Sequence, residues 1–406
     1  MKLTDDEKRM LGGERGAATQ KAMEILVALG EVYGAERCIP VRSAHVAGLS
    51  FRSHGIAGME WAEEMARAGA RVVVPTTMNV VGVDRSRDLG LPADWSEYQL
   101  RIERAYEAMG CFGTSSCVPY YLGFLPRLGE HIAWAESSAV VFTNSVLGAR
   151  TNREGGPSAL AAGITGRTPL YGLHLDENRK GDLLVRVSAR LRDLADFGAL
   201  GSYVGRRVGT GIPVFDGVPA PRIEELVYLG AALASSGSVA LFHMVGVTPE
   251  APTPQAAFQG KRHETIEVSE KELQAGRDQL TAAKSRRVDY VALGCPHLSL
   301  RQIQEVAALL DGRRVAHGVT MWVHTNVAMK TLAFQLGYGQ TIEKAGATLT
   351  QDLCTVLSIP EALGVKVLAT NSGKMAFYAP HNNNLEVWFG GAEQCVQAAI
   401  TGAWPA

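Results

Sequence analysis

The chain lacks an apolar run long enough to cross a bilayer, a surplus of either charge, and a phosphate-loop signature. Its longest apolar candidate, SVALFHMVGV (238–247), is about half the ~20 residues a membrane helix needs and has the length of a buried strand. With 40 basic against 41 acidic residues and a formal net charge of −1, a surface for nucleic acid or anionic lipid is excluded as the main business. The partners expected are small molecules or other proteins, with no nucleic acid and no membrane. No GxGxxG or Walker-type loop follows a strand-like segment, and GRRVGTG (205–211) is too short and wrongly placed to count. The first 34 residues lack the basic region and apolar core of a secretory leader. They read instead as a helix capped at Thr4 or Asp5, so a cytoplasmic protein is expected.

Cysteine is sparse as well. The six cysteines, at 38, 111, 117, 295, 354 and 395, lack the close spacing of a disulfide scaffold, and in a reducing compartment they are core thiols, redox centres or metal ligands.

What is present is an ordinary globular composition, 46% hydrophobic and 20% charged over 406 residues, long enough for two or three domains. Runs such as RVVVPTT (71–77), SAVVFTNS (138–145), PLYGLHL (169–175), SVALFHMVGV, RVDYVALGC (287–295), TMWVHTN (320–326) and VKVLATNS (365–372) read as strands. Amphipathic stretches such as GIAGMEWAEEMARAG and LRQIQEVAALLDG lie between them. The alternation predicts an α/β protein with mostly parallel sheets. The Pro- and Gly-rich segments 206–222 and 248–264 read as connections. They divide the chain into an N-terminal α/β region 1–205, a middle segment 206–286 and a C-terminal region 287–406.

Ligands of such sheets sit beyond the carboxyl ends of the strands. The predicted ends carry Thr76, Thr77 and Asn79; His174; Cys295 and His297; and Ser372 and Lys374. Any one of these equally makes a turn or a helix cap. Among the thiols, Cys117 precedes a turn, Cys295 ends a strand where a helix opens, and Cys354 lies in DLCTVLSIP; these three read as site residues. Cys38 and Cys395 suit the core, and Cys111 fits either place. Three thiolates meeting at one point leave a metal or cluster one open coordination position. Iron–sulfur clusters favour thiolate, and zinc is the competing choice.

The stretch GARTNREGGPSALAAGITGRTPLYGLHLDENR (148–179) orders many polar side chains and little apolar area. Arg150 and Arg153 flank Thr151 and Asn152, and Glu154 precedes a Gly-Gly helix start, a combination suited to clamping a carboxylate or phosphate. The alternative is a solvated loop whose charges pair among themselves. TNSGK (370–374) offers a second anion site through Ser372 and Lys374.

These stretches, with SSCVPYY, ALGCPHLS, DLCTVL and TNSGKMAFYAP, resemble the catalytic domain or large subunit of aconitase X over essentially the whole chain. The resemblance implies an aconitase-like fold of several α/β units around a central iron–sulfur cluster, 2Fe–2S or 4Fe–4S, held by Cys117, Cys295 and Cys354. It implies a hydro-lyase working with a separate small swivelling subunit, and raises Ser372 as a catalytic base unless the small subunit supplies that group. The substrate it implies is a small hydroxy acid, either cis-3-hydroxy-L-proline, dehydrated to Δ1-pyrroline-2-carboxylate and favoured by likeness to bacterial members, or mevalonate 5-phosphate. A non-catalytic aconitase-like protein that binds a small acid or a metal is the alternative of another class.

Overall fold

The computed structural model describes residues 1–405 as three α/β units in chain order. Each unit is built on one parallel sheet. The first has three strands, in the order Thr76–Met78, Ala44–Val46, Ala133–Trp134. The second has four: His243–Met244, Pro213–Asp216, Leu183–Val187, Glu264–Val268. The third has five: Thr348–Gln351, Thr320–Thr325, Tyr290–Leu293, Val367–Thr370, Glu386–Phe389. A two-stranded antiparallel ribbon, Cys38–Pro40 with Arg167–Pro169, flanks the first unit.

The apolar pattern accounts for this layering. Tyr290, Val291, Ala292 and Leu293 are all buried, as expected for a parallel strand covered on both faces. One core joins the second sheet to one face of the third through Val185, Phe215, Leu229, Tyr290, Leu368 and Met375, and a separate core lies on the other face of the third sheet. The first helix, Asp5–Leu11, starts at Thr4 with a full capping box. No helix among the described residues is long and apolar enough to cross a membrane.

Two helices of the middle unit, Leu194–Val208 and Ile223–Gly237, pack at unusually close range. A methyl group on Gly237 would stand 2.1 Å from Gly205 O, so only glycine allows the two backbones to meet there. Two turns before Gly205 on the same helix, Gly198 meets Gly373, the first residue of the helix Gly373–Asn382.

Several sequence expectations need correction. Residues 138–145 form the helix Ser137–Ser145, not a strand; its residues from Ser138 onward are buried, so periodicity could not tell helix from strand. Of 169–175, only Pro169 is strand, and a 3-10 turn follows at Gly172–His174. Of 238–247, only His243–Met244 is strand, and strand in 71–77 begins at Thr76. The expected break after 205 falls inside the helix Leu194–Val208, because the second sheet already begins at Leu183; the break near 286 lies just before the third sheet.

Candidate active site

A cavity of about 470 Å³ opens where the strands of the first and third sheets end. Six wall residues follow strands: Gly48 and Asn79 in the first sheet, Glu136 after Ala133–Trp134, Cys295 after Tyr290–Leu293, Cys354 after Thr348–Gln351, and Lys374 after Val367–Thr370. The segment Arg153–Gly155 closes another side. Strand ends of two parallel sheets thus converge on one space, as α/β architecture favours.

Cys117 lies beside this space, and its sulfur accepts the backbone N–H of His297 at 3.4 Å. His297 also places Nδ1 3.4 Å from Ser116 Oγ and Nε2 3.0 Å from Leu353 O. One buried imidazole, two residues after Cys295, therefore braces the segments carrying Cys117 and Cys354. Gly294 permits the approach: its φ is +104°, and a Cβ there would lie 2.3 Å from His324 O.

The three thiols sense one another. A hydrogen bond between the Cys295 and Cys354 thiols, assisted by Lys374 against burial, draws Cys354 down to about 7, while that bond and burial hold Cys295 well above the usual thiol range. Burial, with Glu136 adding to it, pushes Cys117 up to about 12. Among the described residues, no three His, Cys, Asp or Glu side chains gather closely enough to hold a single ion. A cluster whose ligands bind separate irons does not require that closeness. Near the thiols stand buried hydroxyls with no partner: Tyr120 beside Cys117, and Ser115 two residues before it. Buried donors left this way need acceptors, and sulfurs of a bound cluster would provide them, so the residues present fit such a group.

Lys374 carries the site's main ion pair. Its Nζ contacts Glu136 and lies 3.2 Å from Ser138 Oγ. Burial works against the Glu136 carboxylate, but the Lys374 charge and hydrogen bonds from Lys374, Ala139 N–H and Ser138 N–H bring it down to about 2. Lys374 is held well above its ordinary value because Glu136, Cys295 and Cys117 outweigh burial. Glu154 behaves in the opposite way: burial raises its carboxyl, opposed by Ser158 Oγ donating at 2.5 Å and Thr168 Oγ1 at 3.5 Å. The cavity therefore holds two carboxyls with values pushed apart, the pattern that separates acid–base roles.

The remaining expected residues divide. Arg153, Glu154, Asn79 and Lys374 line the cavity together with Cys295 and Cys354. Arg153 makes no ion pair among the described residues, so it is not paired with Glu154 as the solvated-loop alternative required. Arg150 turns away, donating to His174 O at 3.1 Å and pairing with exposed Asp176. Thr151 and Asn152 serve the backbone: Thr151 Oγ1 accepts from Trp134 N–H, and Asn152 binds Tyr171 O and Leu173 N–H. His174 pairs its Nδ1 with His131 Nδ1 at 2.9 Å, outside the cavity. Thr76 bonds Val74 O, and Thr77 contacts His45. Ser372 is fully buried, donating to Cys295 O and capping Met375 N–H, so its hydroxyl is occupied and does not line the cavity.

Glu136 is absent from the expected site residues because 138–145 reads as a strand, whereas the strand ends at Trp134 and Glu136 caps the helix that follows. The usable signal was an acidic residue followed by two serines at a helix start. Ser53, Ser137 and Tyr378 also line the cavity and carry no comparable signal.

Comparisons with known proteins agree with this architecture. The chain matches the models of the aconitase X first domain over residues 1–177, second domain over 181–278 and third domain over 288–401. It belongs to the aconitase X family. Among its relatives, it is 46% identical to the phosphomevalonate dehydratase large subunit of Thermococcus kodakarensis over 93% of this chain and 95% of that one. It is 44% identical to the same subunit of Methanothermobacter thermautotrophicus over 93% and 94%. It is 39% identical to the cis-3-hydroxy-L-proline dehydratase of Pseudomonas aeruginosa, over 98% of this chain and 70% of that protein. The crystal structure of T. kodakarensis aconitase X in its holo form superimposes with a TM-score of 0.91 at 43% identity, covering 98% of this chain and all of that one. The chain is accordingly an enzyme of the hydro-lyase class, with an aconitase-like α/β fold.

Proposed function

We propose that this chain is the large subunit of an iron–sulfur hydro-lyase that dehydrates mevalonate 5-phosphate and works with a separate small subunit. The observation that carries the reading is one cavity holding Cys295, Cys354 and the Lys374–Glu136 pair, with Cys117 against it and an unpaired arginine, Arg153, in its wall. Cys117, Cys295 and Cys354 would hold the cluster. When bound, it supplies an open iron that polarises the hydroxyl to be expelled and the neighbouring carboxylate.

The chain's own residues supply the rest. Lys374 stays charged and meets the substrate carboxylate, while Glu136 holds the ammonium in place. Glu154, with its raised carboxyl, takes the proton next to that carboxylate. Arg153 receives the distal anion. Ser372, the base implied by family likeness, caps a helix here and has no such role in this arrangement.

The phosphorylated substrate is supported by higher identity to the phosphomevalonate dehydratase large subunits than to the hydroxyproline dehydratase, and by a cation in the cavity wall with no acidic partner. The cis-3-hydroxy-L-proline reading retains one supporting feature: the Glu154 carboxyl beside Arg153 suits an imino acid's nitrogen. Co-expression with the small subunit, anaerobic purification and separate assay of the two substrates test the proposal. A brown complex that dehydrates only mevalonate 5-phosphate is expected. Turnover of cis-3-hydroxy-L-proline alone would replace the substrate, and a colourless, zinc-loaded, inactive complex would favour a non-catalytic binding protein.

A further inference from the structure

Arg85 does not line the cavity, and no step above uses it. It lies on the chain that leaves the strand Thr76–Met78, and that chain runs between two of the cysteine segments. On one side Phe112 N–H donates to Thr76 O at 2.8 Å and Ser116 N–H to Met78 O at 3.0 Å, on the approach to Cys117. On the other, Val81 N–H donates to Asp352 O at 2.9 Å and Cys354 N–H to Val81 O at 3.0 Å. Residues 76–78 thus hold the first segment and residue 81 the second, so their spacing follows the shape of the chain between.

One guanidinium ties the same two segments together. Arg85 Nη2 donates to Gly113 O at 3.0 Å, four residues before Cys117, and Arg85 Nε donates to Asp352 Oδ2 at 3.2 Å, two residues before Cys354. Its Nη1 donates to Glu107 Oε1 at 2.7 Å, and Nε also lies 3.2 Å from Glu103 Oε2, which anchors the fork on the helix Ala93–Ala108. Both ends are shaped to receive it. A Cβ on Gly113 would stand 2.4 Å from Glu107 Oε1, so any side chain there would push that carboxylate off the fork. Asp352 sits at φ +66°, a left-handed turn that a residue other than glycine keeps only where its surroundings fix it. Here Val81 N–H holds its carbonyl and Arg85 its carboxylate. Asp352 and Glu103 are buried, and a planar fork with donors in fixed directions serves such a set where a point charge does not.

We infer that Arg85 is a positioning residue for the proposed cluster: its guanidinium ties the segment carrying Cys117 to the segment carrying Cys354 and holds the two at the spacing a shared cluster needs. This rests on the proposed iron–sulfur reading for what the spacing serves, but not for the brace itself.

Arg85→Lys tests it, because lysine keeps the charge facing Asp352 and Glu103 but cannot bind Gly113 O and Asp352 at once. Gly113→Ala, which keeps every charge but crowds Glu107 off the fork, is expected to act in the same direction. Arg101→Lys is the control: Arg101 grips Glu63 by a fork of the same kind, at 2.8 and 2.9 Å, from the same helix, and binds neither cysteine segment. In the anaerobically purified complex with the small subunit, Arg85→Lys is expected to lose visible absorbance to an iron chelator about tenfold faster than the unaltered protein, the loss of one hydrogen bond to a charged group, with Arg101→Lys unchanged. In the cluster-free full chain, amide hydrogen exchange in Arg85→Lys is expected to speed up in 111–117 and 351–354 together while 288–295 keeps its rate. Iron loss at the unaltered rate in both Arg85→Lys and Gly113→Ala, the same acceleration in Arg101→Lys, or faster exchange in only one of the two segments or equally throughout the chain, overturns the inference. Unaltered protein that purifies without iron sinks the cluster reading instead, and the exchange rates then decide the brace.

Discussion

Lys374 and Glu136 form a largely buried ion pair between residues 238 positions apart in the chain, joining the strand ends of the first and third sheets. The pair is both a structural tie and the main charge of the cavity. Removing one partner of a buried pair strands the other. Lys374→Met is therefore expected to cost about 3–5 kcal/mol in stability by urea unfolding and to abolish turnover. Lys374→Met with Glu136→Gln should regain most of that stability but no activity. Unchanged unfolding of Lys374→Met would show that the carboxylate finds another counter-charge.

The thiols divide into two sets. Cys117→Ser, Cys295→Ser and Cys354→Ser are each expected to lose visible absorbance and bound iron, whereas Cys111→Ala, in a wholly apolar setting, should keep both. Iron content per chain and absorption spectra after anaerobic purification check this. Retention of full iron in any of the three serine variants would remove that residue from the ligand set.

Arg150 and Arg153, three positions apart, separate function from surface chemistry. Arg153→Met is expected to raise KM for mevalonate 5-phosphate by about 10–100-fold, the loss of a charge-assisted contact. Arg150→Ala should leave turnover unchanged and shift stability by no more than about 1 kcal/mol, since its partner Asp176 is exposed. Equal effects of the two on KM would show that the loop binds substrate as a whole.

Glu154 must be ionised to take a proton, and burial raises its carboxyl. The rate should therefore fall on the acid side at a pH above the ordinary glutamate range, and Glu154→Gln should lose at least about 10²-fold in kcat. A pH–rate profile of kcat/KM with no acid limb would exclude this role.

Folding stability has its own pH signature. His45 and His297 are held down to about 4 and His324 to about 3, each by burial. A group whose folded value is depressed stabilises fully above its unfolded value and loses that contribution as pH falls towards the folded one. Thermal unfolding temperature is thus expected to be flat above about pH 6.5 and to fall below it, with Glu136 adding a further loss below about 4.5. A constant unfolding temperature down to pH 5 would contradict the burial of these rings as neutral groups.

The fold class and the placing of Cys295 and Lys374 at one cavity were legible because each depends on local pattern: apolar runs for parallel strands, and strand ends for the two side chains. What was not legible depends on which neighbour a side chain meets. Arg150 and Arg153 share a loop and a chemistry, yet Asp176 draws one away while the other faces the cavity. Arg179 in the same stretch is an almost fully buried staple, gripping Glu250 and the carbonyls of Asn144, Ala149 and Leu173. Much of the cost of ordering that stretch is therefore architectural. Ser372 looked like a site hydroxyl because TNSGK ends a strand, but the helix start beside it claims the oxygen first.

The contact between Gly198 and Gly373 places the middle unit, which contributes no wall residue to the cavity that holds Lys374, against the helix that carries that lysine. A Cβ on Gly198 would lie 3.2 Å from Gly373 N, and one on Gly373 3.0 Å from Gly198 O, so an added methyl would require the two helices to give by a few tenths of an ångström. The second unit is thus seated directly against the first turn of the helix that carries the lysine, with no room for a side chain between them.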